Sequence, residues 1–414
     1  MNMAARQMEA NRELLDEGVI WRPRLNAVDQ RWKDVAAGLS RDHFAGSAAG
    51  IDQDQRYPVE NVALLRQSGI ASMLLPAAYG GGGASLTAYI AVVEEIAQAC
   101  ASTSGIVATI QLGAAPLLLI SDEAIKLELL RGLVERGEMI SFALSERGAG
   151  SDPAGMSTLA TREMRDGRTG WRIQGEKCWI GGGSVAHRYV VFAQTEPGSG
   201  KRGIAAFLVD AKAPGVDDSV LEDKMGMRGT CTATIKLDTW VHDAHVLAQP
   251  GQGLRLALAS LDVGRVGVAA QSCGMALMAF RAAAAHAARR STFGQLLIDH
   301  QALAFRMAAL AGRLTAVRLM TYEAAAAYDA GISVSVLAAQ AKLMASEVAH
   351  DMVDAALQML GGAGYVKPHP IERLYRDQRV TEIYEGTTEV QLLLIARTLR
   401  AHATRHAAAA GAVQ

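Results

Sequence analysis

Apolar residues recur along the chain first with a helical period, then with strand-like runs, then with a helical period again. Residues 1–39 are polar, Arg-rich and weakly periodic, and read as an arm or a helix. From 40 to 139 the spacing is helical. Val59, Val62, Leu64 and Leu65 mark a helix over 58–68, and Tyr89, Val92, Val93 and Ile96 form one face of a longer helix over 85–101. Residues 100–113 are small and apolar, suited to lining a narrow slot, and 122–138 are charged and helical. Strand character begins at Met139-Ile140 and repeats at 171–173, 189–193, 204–209 and 232–237. Asp166-Gly167 and residues 197–200 supply turn chemistry at hairpin spacing. This predicts a small β domain over 140–250. Helical spacing resumes at Gly253, and the segments 253–261, 266–290, 301–330 and 334–360 predict an antiparallel four-helix bundle within 251–402. Residues 403–414 are expected to fray. The fold class is mostly α with an inserted β domain.

One stretch breaks the last helical pattern. Glu385 is followed by Gly386, Thr387 and Thr388. Glycine is costly inside a helix and threonine is stiff at χ1. The segment therefore predicts a helix ending near Ile383, a short loop bearing Glu385, and a new helix from Thr387 or Thr388. Thr388 and Gln391 have the spacing of a capping box. A carboxylate on such a loop can be aimed into a cavity, or can be solvated at a helix junction.

Composition narrows the class. Half of the residues are hydrophobic but only 5% are aromatic, so Ala, Leu, Val and Met must fill the core. Alanine-rich blocks at 282–288 and 324–327 favour close-packed helices. A net charge of −1 without basic runs argues against nucleic acid. Cys100, Cys178, Cys231 and Cys273 lie far apart, which argues against a zinc ribbon or a disulfide framework and fits a reducing cytoplasm. No apolar run approaches the roughly 20 residues of a membrane span, and the first 17 residues carry no signal-peptide core. His242 and His245 read as a surface pair rather than metal ligands, so no metal is expected. The glycines at 80–83 read as a helix connection, since no phosphate-loop lysine follows them.

The remaining motifs carry chemistry. Residues 145–152, SERGAGSD, follow a strand, and their small side chains let backbone N–H groups approach an anion or a ring carbonyl; a flexible hairpin loop would look the same. Trp179 stands before Gly181, Gly182 and Gly183 and could also be β-domain core. Arg289-Arg290-Ser291-Thr292-Phe293-Gly294, with His300-Gln301, sits at a helix end, where arginines also complement the helix dipole. Gln358 precedes Gly361, Gly362 and Gly364, a pattern that also stops a helix. Thr387 and Thr388 open a helix, a ready seat for a diphosphate.

The block RDxxxxxIYEGTxEVQ ending at Gln391 resembles the C-terminal signature of the acyl-CoA dehydrogenase family, and the resemblance extends over roughly 40–400. It implies a helical N-terminal domain, a β-barrel-like middle domain and a C-terminal four-helix bundle, with FAD as cofactor. It implies Glu385 as the base that takes the α-proton of an acyl thioester, while flavin N5 takes the β-hydride. The Glu385 N–H and a ribityl hydroxyl would hold the developing enolate oxygen. Flavin contacts would come from Phe142, Leu144, Ser145, Gly150 and Ser151, and from Trp179, Ile180 and Gly181. Arg290, Phe293, Gln358, Gly361 and Gly362 would reach the FAD of a neighbouring subunit, Thr292 and Gln301 would also contact FAD, and Thr387 would meet the diphosphate with Glu389 on the adenine side. Substrate contacts would be Ser151, Asp262, Arg265, Gly386 and Arg397; Arg397 could equally be a surface charge.

The departures are specific. Ser145 replaces Thr, Arg147 replaces Pro, and Glu389 replaces Gln. Gly181 stands where a threonine usually meets the flavin. Gly264 stands where isovaleryl- and long-chain-like members carry their catalytic Glu. Cys100 to Thr103 and Leu261-Asp262-Val263-Gly264-Arg265 are similar to the short-chain branch. The resemblance implies α,β-desaturation of a short- or branched-chain acyl-CoA in fatty acid or amino acid catabolism. Electron-transfer flavoprotein would be the acceptor, and the oligomer a homotetramer in preference to a dimer. The alternatives are an FAD-dependent dehydrogenase or oxidase of a carrier-protein-bound acyl group in a biosynthetic pathway, and a flavin-binding scaffold without turnover.

Overall fold

The computed structural model describes residues 18–120 and 122–411. Most of the expected N-terminal arm lies outside them, but its last part is a helix, α1 (Ala27–Leu39), capped by the Asn26 side chain. Helices α2 (Ala45–Asp54), α3 (Val59–Gln67), α4 (Leu86–Ala99), α5 (Ala101–Ala114) and α6 (Glu123–Arg131) follow. α1 packs on α4, so the first helical layer begins before residue 40. The glycines at 80–83 do form a connection. A Cβ on Gly81 would lie 2.2 Å from the Leu75 carbonyl oxygen, so the chain doubles back there through space only glycine leaves.

The middle region holds strands β1 (Ile140–Ala143), β2 (Leu159–Arg165), β3 (Arg168–Ile180), β4 (Arg188–Gln194), β5 (Ile204–Asp210), β6 (Val216–Leu221), β7 (Ala233–His242) and β8 (Val246–Ala248). They form one sheet in the order β6-β7-β3-β2-β4-β5-β8, with β1 parallel to β4. Trp171, Ile173, Val191 and Phe207 fill one core of the sheet; Ile140, Val190, Phe192 and Leu208 join a second with residues of α5 to α7.

The C-terminal layer differs from the expectation. The segments 253–261 and 266–290 are one 35-residue helix, α7 (Gly253–Ala287). Two glycines on this helix permit close contact. A Cβ on Gly267 would lie 2.8 Å from the Tyr89 hydroxyl, and one on Gly274 would lie 2.3 Å from the Glu94 carbonyl oxygen, so α4 lies directly on this stripe. Packing outweighs a helix-propensity cost of about 1 kcal/mol per glycine. α8 (Gln301–Asp329) and α9 (Ser335–Leu360) complete three helices of the bundle. After the short α10 (Gly362–Tyr365) and α11 (Pro370–Gln378), the fourth is α12 (Thr388–Gly411), which packs on α9 and runs beyond residue 402, where fraying was expected.

Two segments, Ala101–Leu118 and Gly253–Ala287, are long and apolar enough to cross a membrane by length and composition, contrary to the sequence expectation; both lie mostly inside the fold. A buried ion pair ties α4 to α8: Arg318 Nη2 and Nε donate to Glu94 Oε1 and Oε2 at 2.7 and 3.0 Å. Arg318→Leu would leave the Glu94 carboxylate uncompensated and should cost about 3–5 kcal/mol, read from urea unfolding. A loss below about 1 kcal/mol would show that water reaches Glu94 freely.

Candidate active site

The turn that bears Glu385 is held from three directions. Upstream, Arg376 makes a bidentate pair with Asp52 at 2.8 and 2.6 Å, and Asp377 accepts the Met227 N–H at 2.6 Å. Burial raises Asp377 to about 6 against the pull of nearby Arg373. Below the turn, the Tyr384 hydroxyl donates to Gln271 Oε1, and Gln271 Nε2 donates to Ser104 Oγ at 2.8 Å. Downstream, the Thr387 hydroxyl accepts the Val390 N–H at 3.4 Å, so Thr387 caps α12 and the expected Thr388 cap is corrected. Gln391 turns back instead, its Nε2 donating to the Gly386 and Glu385 carbonyls at 2.8 and 3.2 Å.

Glu385 has φ 52° and Gly386 φ 95°. Two successive left-handed residues are strained when the first is not glycine, and such strain concentrates at functional sites. The conformation aims the carboxylate at α7. A Cβ at Gly264 would lie 1.9 Å from Glu385 Oε2, so the carboxylate occupies space that only glycine leaves. Oε2 is sealed from solvent and has no hydrogen-bond partner. Desolvation raises Glu385 to about 7, against the opposing pull of Arg265 and Lys342. A carboxylate poised there is suited to accept a proton near neutral pH.

Arg265 Nη1 donates to Asp262 Oδ1 at 2.7 Å, and Asp262 also accepts the Ser335 hydroxyl. These residues line a cavity of about 600 Å³ that Lys201, Arg202 and Arg255 make basic. Tyr89 is fully buried and faces Glu385 from α4.

The loop at 145–152 is pinned from within. Glu146 Oε2 accepts the Ser157 N–H and hydroxyl at 2.6 and 2.7 Å, and Oε1 accepts Lys177 Nζ at 2.8 Å. Burial works to raise Glu146, but Lys177 and the hydrogen bonds from Thr158 and Ser157 overcome it and hold the carboxyl near 2. Lys177 Nζ also reaches the Leu144 carbonyl at 3.1 Å, and the Cys178 N–H donates to the Ser145 carbonyl at 3.0 Å. The loop thus gains rigidity from Glu146, while Arg147 pairs with Glu176 on the surface. Ser145 is half-buried; Gly150 and Ser151 are exposed beyond it, and Phe142 and Leu144 pack in the core below.

Trp179 has φ 58° and is 53% exposed, so it is not β-domain core but a held-out ring beside Ile180 and Gly181. A Cβ at Gly181 would lie 3.2 Å from Thr109 Oγ1 on α5. Thr388 Oγ1, at the start of α12, is buried without a partner. An exposed flat ring, a pinned loop with small residues and an orphaned hydroxyl at a helix N-terminus suit a planar heterocycle joined to a diphosphate.

The other predicted residues lie elsewhere. Arg290, Phe293 and Gln301 are exposed beyond the C-terminal end of α7, and Phe293 is 100% exposed with φ 53°. Thr292 Oγ1 lies 3.1 Å from His300 Nε2. Gln358, Gly361 and Gly362 are exposed where α9 ends. Glu385 meets α7 at Gly264, more than 20 residues from that end, which is roughly 35 Å at 1.5 Å per residue. Within one chain the two groups do not come together. Arg397 and Glu389 are exposed on α12. Sequence reasoning missed Lys342, Lys177 and Thr109. A lysine among Ala338, Ala341 and Ala345 on the core face of α9 was the available signal for Lys342.

A desolvated carboxylate on a strained turn is suited to moving a proton. Comparison with known proteins gives the family. The chain matches the N-terminal, middle and C-terminal domains of acyl-CoA dehydrogenase over residues 27–137, 141–240 and 251–400. It is similar to a probable acyl-CoA dehydrogenase of Mycobacterium leprae, 38% identical over 87% of this chain and 92% of the relative. It is also similar to the short-chain specific mitochondrial acyl-CoA dehydrogenase of Bos taurus, 38% identical over 84% of each. Among solved structures, butyryl-CoA dehydrogenase from Megasphaera elsdenii has a TM-score of 0.87 and 34% identity, over 92% of this chain and 100% of that one. The chain belongs to the acyl-CoA dehydrogenase family, FAD-dependent oxidoreductases.

Two outcomes follow. In Gly264→Ala the new methyl group displaces the Glu385 carboxylate, and turnover should fall at least about 100-fold with FAD retained; unchanged turnover would mean that the carboxylate works from another position. Glu385 titrates at about 7 in the fold against 4.5 ordinarily, so the fold favours its protonated form. Native stability is therefore complete below pH 4.5 and falls as pH rises through 7. Glu385→Gln escapes that loss and should gain about 3 kcal/mol over the native enzyme at pH 8 but almost nothing at pH 4.5, by urea melts at both pH values.

Proposed function

We propose that the enzyme desaturates a short- or branched-chain acyl-CoA between its α and β carbons, with Glu385 as the base. The observation that carries this is the Glu385 carboxylate seated over Gly264, raised by burial to about 7. An α-proton of a thioester is weakly acidic, so the base needs high proton affinity and an enolate-stabilising donor. The Glu385 backbone N–H supplies the donor on the same residue. FAD, when bound, accepts the β-hydride.

This chain holds its own flavin with Phe142, Leu144, Ser145, Gly150 and Ser151, with Trp179, Ile180 and Gly181, and with Thr387 and Glu389 on the diphosphate and adenine side. Arg290, Thr292, Phe293, Gln301, Gln358, Gly361 and Gly362 serve a neighbouring subunit. Their roughly 35 Å separation from Glu385 along α7 supports that division. Exposed Phe293, Tyr365, Leu392, Leu393 and Leu399 support a homo-oligomer, a tetramer by analogy with the family. Asp262, Arg265, Ser151, Gly386 and Arg397 meet the thioester and CoA, and the basic cavity beside Arg265 suits its phosphates. Electron-transfer flavoprotein is the proposed acceptor. Tyr89 and Tyr384 crowd the carboxylate, which favours a short or branched acyl group. The likeness to short-chain specific and butyryl-CoA enzymes supports the same size.

Anaerobic mixing of the yellow protein with a panel of acyl-CoAs tests this. Butyryl-CoA or a branched C5 thioester should bleach the flavin fastest, and Glu385→Gln should slow bleaching at least about 1,000-fold. Fastest bleaching by a long-chain thioester would overturn the size assignment. No bleaching by any free acyl-CoA would favour a carrier-held acyl group or a scaffold, separated by offering acyl-pantetheinyl carrier protein.

A further inference from the structure

Lys342 is a charged group of this site that the proposed reaction does not use. It lies on the core face of α9, fully buried, and its Nζ donates to the Gly386 carbonyl at 2.7 Å. The same carbonyl accepts Gln391 Nε2 at 2.8 Å. The left-handed Glu385–Gly386 turn is thus gripped by α9 on one side and by the first turn of α12 on the other. A neutral amide could supply the α9 bond as well. An ammonium brought out of water for one carbonyl is costly unless a negative charge answers it.

The surrounding charges show which one does. Lys342 is faced by Glu385, Glu382, Glu389 and Arg265. Glu382 is engaged by His350 at 2.9 Å and Arg379 at 3.2 Å, and Glu389 is exposed. Arg265 has Asp262 as its partner. Glu385 in turn is faced by Arg265 from α7, Lys342 from α9, Tyr89 from α4 and Tyr384 beside it. Removing the Arg265–Asp262 and Glu382 pairs leaves Lys342 and Glu385 as the unmatched cation and anion.

We propose that Lys342 is a positioning residue for the base: its hydrogen bond fixes the Glu385–Gly386 turn, and its charge keeps the Glu385 carboxylate available as the anion. Burial lowers Lys342 to about 8 and raises Glu385 to about 7, and each opposes the other's shift. The inference rests on the reading of Glu385 as base.

The test uses FAD-loaded enzyme and saturating butyryl-CoA, with the rate of anaerobic flavin bleaching measured from pH 5.5 to 9.5 as a chosen range. FAD content and melting temperature are recorded beside it. Bleaching should rise with pH as the base ionises. Lys342→Gln, which keeps a donor and loses the charge, should move this rise up by about one pH unit. Lys342→Met should show the same displacement and a plateau at least about 10-fold lower, since the turn is also released. Lys342→Arg should restore the native profile to within about half a unit. Rises at the native pH in Gln and Met variants, with rates that merely track FAD content and melting temperature, would overturn the proposal and leave Lys342 a structural residue. Glu385→Gln separates the two readings. If it still bleaches the flavin, the base has been misassigned and the Lys342 proposal falls with it. If it is inert while the Lys342 profiles are native, only Lys342's role fails.

Discussion

The site depends on the desolvation of one carboxylate. Water would stabilise the Glu385 anion and lower its affinity for a proton. The fold removes that water from Oε2: glycine on α7 lies beneath it, Tyr89 faces it from α4, and the carbonyls of the turn are already engaged. Left alone, such a group would simply stay protonated. Two buried cations, Arg265 and Lys342, set the balance in the other direction. The charge is neither free nor abolished, which is the condition a base working near neutral pH requires.

The same balance recurs in the β domain with the opposite outcome. Glu146 and Lys177 are buried together, but Glu146 also receives the N–H groups of Ser157 and Thr158. With its lone pairs filled, that carboxylate is locked as an anion near 2 and has no use for a proton. Glu385 Oε2 has no donor at all. The contrast between a satisfied and an unsatisfied oxygen separates a carboxylate that holds a loop from one that can do chemistry.

Much of this was legible in the sequence, and the failures have physical causes. The change from helical spacing to short apolar runs marked the β domain, because strands such as β4 and β5 are buried on both faces. The Glu-Gly-Thr-Thr break located the loop that bears Glu385, because glycine and threonine disfavour a continued helix. The continuity of α7 across 262–265 was not legible, because Gly264 has no packing partner until the Glu385 carboxylate fills the space above it. The fourth bundle helix was assigned to the wrong segment for the same reason. Lys342 and Thr109 were invisible because their importance lies in what folds against them, not in their neighbours along the chain.

α7 carries a further implication. It seats the Glu385 carboxylate at Gly264 and, a few residues past its end, presents Arg290 and Phe293. It is a rigid rule that sets both the spacing and the angular phase of two functional surfaces. A single inserted residue between Arg265 and Arg289 would add about 1.5 Å and rotate one surface by about 100° relative to the other. Substitutions along the rod away from Gly267 and Gly274 can be absorbed by repacking, but a change of length cannot. Across relatives, this interval should hold its residue count, while the exposed loop at 197–200 is free to grow.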